Sequence, residues 1–399
     1  MLLFKNCRLL PYLTEGFDGE TADVLVGDDD RIAAIKAPGE INAEGIKTVD
    51  IAGCTLLPGF FDLHCHLTMT DLDFSGYVQR RPEDHYSEAM SFAREYLKQG
   101  YTTLRDAGDC YNVVCGIKKA QQKGYINVPD IISSGQILTP TERGNATFGE
   151  MYTVCDGPME VRKAARRQFE LGNDIIKYMV TGAFLNEGGV PGELIVSEDE
   201  LREAVAVAKA KGSYVMGHAH GTEGVKLAIR CGLHTVEHGS FIDDEGIEML
   251  KNSTETFLIP TAAIGLACMA DDGEQMSDNM MDKAHNYEKD EKDNLNKAYR
   301  AGLKLGFGSD IDKEDLIAHP GMEFYARHDW YDFEYPDILK QATINSAESA
   351  GMAEEKGTIA VGKKAELVVI EGKPDEDIYA MKKMPRYVYF RGELIDNSL

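Results

Sequence analysis

The chain has 399 residues, 43% of them hydrophobic, and a formal net charge of −25 at pH 7. That length exceeds one small core and suits one large domain plus a small one. The negative charge repels both nucleic-acid phosphates and an anionic membrane surface, so neither is expected as a partner. An anionic small molecule stays open, because the local field of a metal site can outweigh distant surface charge.

In chain order, the first segment predicts short strands at 2–4, 22–26, 31–35 and 48–51, separated by Gly, Asp and Pro. No long apolar run opens the chain, and none reaches the roughly 18 residues a membrane span needs. The eight cysteines are scattered with no C-x-x-C. That usage fits a reducing compartment, and a cytoplasmic protein is expected.

An apolar stretch, 55–63, then runs into His64-Cys65-His66. On an extended strand, side chains two apart share a face, so His64 and His66 can aim at one ion while Cys65 points away into packing. The middle of the chain alternates helices with strands. Helices are predicted at 88–99, 159–171, 198–211, 221–231, 243–251 and 292–301. Strands are predicted at 102–104, 175–180, 214–217, 235–237, 257–259 and 304–308. Ser197 and Glu200 form a capping-box signature at one helix start. The acidic, Met-rich stretch 269–291 reads as a helical excursion with a solvated face beside the mouth of the site. The tail resumes strands at 365–370 and 387–390. Repeated helix–strand units predict an α/β fold, a (β/α)8 barrel over 57–357, and the strands at the two ends, 1–56 and 358–399, predict one small β domain with the barrel inserted between them. No repeat, P-loop or G-x-G-x-x-G is present.

The remaining candidate ligands, Lys177, His218, His238 and Asp310, each fall in or just beyond a predicted strand, where an α/β barrel places its chemistry. With His64 and His66 they make a two-metal set. A protonated lysine cannot bind a cation, but N6-carboxylation of Lys177 by CO2 creates a bridging carboxylate able to hold two ions about 4 Å apart. The hydroxide between the ions would be the nucleophile. Asp310 can ligate, take the proton and return it to the leaving nitrogen. His220 shares the parity of His218 and is assigned to substrate or intermediate contact.

The motifs of this chain resemble the amidohydrolase superfamily over nearly its whole length, which implies a metal-bearing (β/α)8 barrel with a composite β-sandwich domain from both termini. They are Leu-Pro-Gly-Phe-Phe-Asp-Leu-His-Cys-His (57–66), Gly-Tyr-Thr-Thr-Leu-Arg-Asp (100–106), Ile-Lys-Tyr-Met-Val-Thr-Gly (176–182), Gly-His-Ala-His-Gly (217–221), Thr-Val-Glu-His-Gly (235–239) and Gly-Phe-Gly-Ser-Asp (306–310). The tail segments 342–347 and 357–369 are similar to that family too. The pattern looks most like the branch of metal-dependent dipeptidases and carboxypeptidases, prolidase-like and related to imidazolonepropionase. That resemblance implies metal ligation by His64, His66, carboxylated Lys177, His218, His238 and Asp310. Two loops depart from the branch: 139–145 lacks the usual Gly-Gly-His stretch, and 181–190 is longer and more acidic. Within them Arg143 is a candidate clamp for a substrate carboxylate, and Glu187 a candidate partner for a cationic side chain.

The expected protein is thus a hydrolase of a linear C–N amide bond, in a dipeptide or N-acyl amino acid. Its cofactors would be two divalent ions, zinc first by ligand type, with manganese or iron able to use the same cage. Homo-oligomers are common among relatives. Ring opening of a cyclic amide, as in dihydroorotase or hydantoinase, stays open. Imidazolonepropionase-like or deaminase-like hydrolysis is the other alternative, although Gly221 stands where deaminases tend to carry a glutamate. A non-enzymatic barrel scaffold is not favoured, because the ligand set is complete.

Overall fold

A computed structural model describes residues 1–72, 79–186, 188–270 and 276–397. The two ends of the chain meet in one eight-stranded sheet. Leu2–Arg8, Thr21–Val26, Ile32–Lys36, Lys47–Asp50 and Cys54–Pro58 come from the N-terminal side. Leu367–Glu371, Tyr387–Phe390 and Glu393–Asp396 come from the C-terminal side. The join is the antiparallel pairing of Cys54–Pro58 with Leu367–Glu371, in which Leu57 faces Val368. One face buries Phe4, Val24, Leu56, Ile359 and Val369 as a separate apolar cluster, with Phe4 and Tyr389 edge to face at 6.3 Å.

The predicted barrel is present. Its strands are Phe60–Cys65, Tyr101–Asp106, Asp130–Ser133 with Ile137–Thr139, Ile176–Met179, Val215–Ala219, Thr235–His238 and Phe257–Ile259. Neighbours pair in parallel, and each strand is separated from the next by helical crossovers. The eighth stave, 305–308, forms only one bridge, Leu258 to Leu305. It closes the ring through Gly306 N–H to Leu258 O at 3.0 Å on one side and Leu63 N–H to Phe307 O at 2.8 Å on the other. Arg327, fully buried, takes up the carbonyls this irregular stave leaves over. It donates to Gly306 O at 2.8 Å and Pro260 O at 2.6 Å, with its charge met by Glu323 at 2.5 Å.

Helix positions follow the expected amphipathic segments, with shifts at the ends. The first runs Pro82–Lys98, starting six residues before the predicted position because Arg81 and Asp84 cap it and Pro82 fits the first turn. Ser197 N–H donates to Glu200 Oε2 at 2.9 Å, the return arm of the predicted capping box. The described part of the acidic stretch 269–291, which leaves out 271–275, keeps the expected solvated face and adds a buried stripe. Helix Asp278–Arg300 buries Met280, Lys283 and Leu295, and Lys283 Nζ donates to Asn186 O at 2.5 Å. Its exposed face is charged, so composition alone hides the apolar stripe. Among the described residues, no helix is long and apolar enough to cross a membrane.

Candidate metal centre

All the predicted ligands converge at the C-terminal ends of the barrel strands. Two triads present donor atoms within 4.8 Å of one another: His64, His66 and Asp310, and His218, His220 and His238. His64 joins them, its ring 4.7 Å from that of His238. Lys177 is buried beside the first triad, its Nζ 3.4 Å from His64 Nε2. Asp310 Oδ1 lies 3.6 Å from His64 Nε2 and 3.5 Å from His66 Nε2. His220, expected to contact substrate, stacks on His238 at 4.6 Å and stands among the possible donors of the second triad.

Backbone conformation aims two of these residues. Strand alternation would send His238 to the side of Val236, which packs in the large core shared by strands and helices. A left-handed backbone at φ 66° turns it instead, and Asp310 has φ 55°. Both are non-glycine residues in a sparsely populated region, a strain that clusters at functional sites. The turn at Asp310 is pinned by its N–H donating to His64 O at 2.8 Å. Gly308 is required just before it, since a Cβ there would lie 2.6 Å from His64 Cβ. Asp62 ties the same corner together, accepting from Ser309 Oγ at 2.5 Å and from the N–H groups of His64 and Ser309.

Each imidazole has one nitrogen engaged, which leaves the other for the cluster. His66 Nδ1 meets Gly108 O at 2.8 Å and His218 Nε2 meets Gly182 O at 3.2 Å. A carbonyl only accepts, so those nitrogens carry the protons, and His66 Nε2 and His218 Nδ1 hold free lone pairs. His64 Nδ1 meets Glu237 Oε2, His238 Nδ1 meets Thr261 Oγ1 and His220 Nδ1 meets Ser240 Oγ, all at 2.8 Å. Burial pushes His64, His218 and His238 well below the usual imidazole range, and His66 and His220 down to about 3. Neutral, oriented imidazoles are the ligating form of histidine, so the donor set fits divalent metal. Thr261→Val is expected to weaken metal binding about 10–100-fold by freeing the His238 ring, as measured by chelator competition.

Sequence reasoning missed the layer beneath. Arg105 and Glu237 are both fully buried inside the barrel and paired at 3.0 Å, with Arg105 Nε also donating to Leu63 O at 2.7 Å. Glu237 thereby holds His64 on one side and is neutralised on the other. Its signal was available, since it lies inside the motif 235–239 and Arg105 inside 100–106. Glu237→Gln removes the charge facing a buried guanidinium and is expected to cost about 3–5 kcal/mol, read by urea unfolding of the metal-free protein.

The triads open into a cavity holding about 910 Å3 of empty space, its mouth included. Phe148, Met151, Tyr152, Phe184 and Leu185 line one side, and Ile264, Glu288, Glu291 and Trp330 the other. Aromatic and apolar walls with a few convergent polar groups are typical of small-molecule sites. Arg143 is exposed on the loop after the third strand and does not line this cavity. Glu187 lies outside the described residues. Cys65 is buried and points away from the flanking histidines, its Sγ 3.6 Å from Arg105 O.

A (β/α)8 barrel carrying this donor set at its strand ends defines a metal-dependent hydrolase acting on C–N bonds. The chain belongs to the amidohydrolase family, whose model matches residues 55–395. Its metal-site architecture is typical of the dipeptidase, prolidase and imidazolonepropionase-like branch. Ochratoxinase of Aspergillus niger is 27% identical over 368 residues, 85% of this chain and 75% of that protein. A prolidase solved in complex with N-methylphosphonate-L-proline superposes with TM-score 0.87 at 26% identity, over 99% of both chains. A Xaa-Pro dipeptidase with methionine bound in its active site gives TM-score 0.87 at 25% identity, covering 99% of this chain and 100% of that one.

Proposed function

We propose that this protein hydrolyses a linear C–N amide bond in a dipeptide or N-acyl amino acid, using two divalent metal ions bridged by N6-carboxylated Lys177. The observation that carries the reading is Lys177 itself. Its amine is buried beside His64 Nε2, and burial lowers its pKa while the charges of Glu237 and Asp310 act to raise it. Burial thus favours the neutral amine needed to add to CO2 over what an exposed lysine would offer. The ammonium first gives up one proton; the freed nitrogen lone pair then forms the new N–C bond as one C=O π pair of CO2 moves onto oxygen, the nitrogen loses a second proton, and a buried cation becomes a buried carboxylate. His64, His66 and Asp310 would hold one ion, His218 and His238 the other, and zinc best fits so many imidazoles.

When bound, the ions lower the pKa of water and polarise the scissile carbonyl. The protein supplies the rest. Asp310, at the mouth of the first triad, accepts the proton of the attacking water and delivers it to the departing nitrogen. His220, held by Ser240, presents Nε2 to the substrate carbonyl or its tetrahedral successor. Gly221 weighs against the deaminase alternative. A Cβ there would lie 2.1 Å from Gly192 O, so no glutamate side chain fits where deaminases tend to place one.

The prolidase and Xaa-Pro dipeptidase relatives support an amide or peptide substrate. The eight cysteines, all free and buried, go with a reducing cytoplasm. A terminal β domain, 1–56 with 358–399, around a catalytic domain at 57–357 completes this reading. The test is a panel of dipeptides, N-acyl amino acids, hydantoins and aminated heterocycles. A new primary or secondary amine released from a linear substrate supports the proposal. Ammonia release or ring opening alone overturns it.

A further inference from the structure

The loop after the third stave is where this chain departs from its branch, and the departure shapes the cavity. Gln136 Nε2 donates to Glu150 O at 2.8 Å and Asn145 Nδ2 to Pro140 O at 2.9 Å, which folds 140–151 back toward the barrel. The chain returns as a short strand, Tyr152–Val154, parallel to Ile137–Thr139, with Tyr152 opposite Ile137. Ile137 and Tyr152 both line the cavity, and the ring of Phe148 packs on that of Tyr152 with centroids 5.1 Å apart. Tyr152 is half-buried, and its hydroxyl has no hydrogen-bond partner among the described residues. Burial and the charge of Asp310 both raise the pKa of this phenol, so it stays protonated while lying within the electrostatic reach of Asp310.

A protonated phenol offers one hydrogen, and here no protein group takes it. Asp310 handles the protons of the attacking water and the leaving nitrogen, so the group beside it during reaction is the scissile amide. The amide nitrogen is a poor acceptor, because its lone pair is shared with the carbonyl. The carbonyl oxygen accepts readily and gains negative charge as the tetrahedral intermediate forms. A donor already in place at that oxygen acts mainly in the transition state. His220 reaches the site from just beyond strand Val215–Ala219 and Tyr152 from the third stave, which supplies two donors from two sides of the rim.

We propose that Tyr152 is a further catalytic residue, its Oη–H donating to the oxygen of the scissile carbonyl as that oxygen gains charge. The hydrogen stays on the phenol throughout, and no covalent bond to Tyr152 forms or breaks. The proposal rests on hydrolysis of a C–N bond at this centre, and not on whether the amide is linear or cyclic.

The test is Tyr152→Phe on the zinc-loaded protein, which keeps the ring on Phe148 and removes only the hydroxyl. On whichever linear or cyclic amide is turned over, kcat is expected to fall about 10^2-fold, with KM changed less than about threefold and the unfolding midpoint unmoved. Methylphosphonate, a tetrahedral oxyanion, is titrated alongside, and the single tryptophan, Trp330 on the cavity wall, reports its binding through emission. It should bind the variant about tenfold more weakly at equal zinc content. An undiminished kcat, a loss confined to KM, or equal phosphonate affinity would overturn the role of Tyr152, whatever the substrate proves to be. The same fall in kcat seen on ring opening alone would keep Tyr152 and overturn the linear-amide reading. Linear-amide hydrolysis at full rate by the variant would keep that reading and remove Tyr152.

Discussion

Asp310→Asn is expected to lower kcat on a linear amide by about 10^3-fold while leaving the protein folded. Asparagine fills the same space, and the backbone turn at φ 55° is held from the main chain by His64 O, not by the carboxylate. What the variant lacks is the ability to take a proton from water and pass it to nitrogen. Removing the charge should not harm the metal-free fold, because burial already raises this carboxyl's pKa and so disfavours its ionised form. The unfolding midpoint of metal-free Asp310→Asn should therefore equal or exceed that of the parent. A variant retaining a tenth or more of the activity would remove Asp310 from proton transfer.

Lys177→Ala is the second large effect. The lysine is buried, and among the described residues it forms no ion pair, its amine approaching His64 Nε2 at 3.4 Å. Its loss should therefore act on metal binding more than on folding. The expected outcome is a fall to one ion or fewer per chain and a drop in kcat/KM of about 10^3-fold or more. Partial recovery should follow when a small carboxylic acid such as acetate is supplied in the buffer, since the cavity left by the side chain admits the missing carboxylate. Recovery by alkylamine instead, or full metal content without Lys177, would show that the ammonium and not a carboxylate belongs there.

Much of this centre was legible because metal ligation uses local grammar. His64 and His66 share a strand face by parity, and Lys177, His218, His238 and Asp310 each close a short apolar run, which in a barrel means the same rim. What parity could not give was the turn of His238, since alternation alone points it at the helices. The left-handed backbone that corrects this is a property of the strand end and its neighbours. Arg105 and Glu237 stand 132 residues apart and meet only across the barrel. The cavity wall was hidden for another reason. Helix Asp278–Arg300 is so charged that its buried stripe is lost in composition, and Trp330 and Glu291 become neighbours only when two late helices pack together. The two loops expected to border the substrate, 139–145 and 181–190, proved less informative, with Arg143 facing solvent and Glu187 outside the described residues.

The proposed pair of ions held by one carboxylated lysine has a stoichiometry that elemental analysis reads, on protein prepared without chelator and with bicarbonate present. About two equivalents of metal per chain are expected, falling to one or fewer in Lys177→Ala. One equivalent in the parent protein, unchanged by bicarbonate or by loss of Lys177, would contradict it.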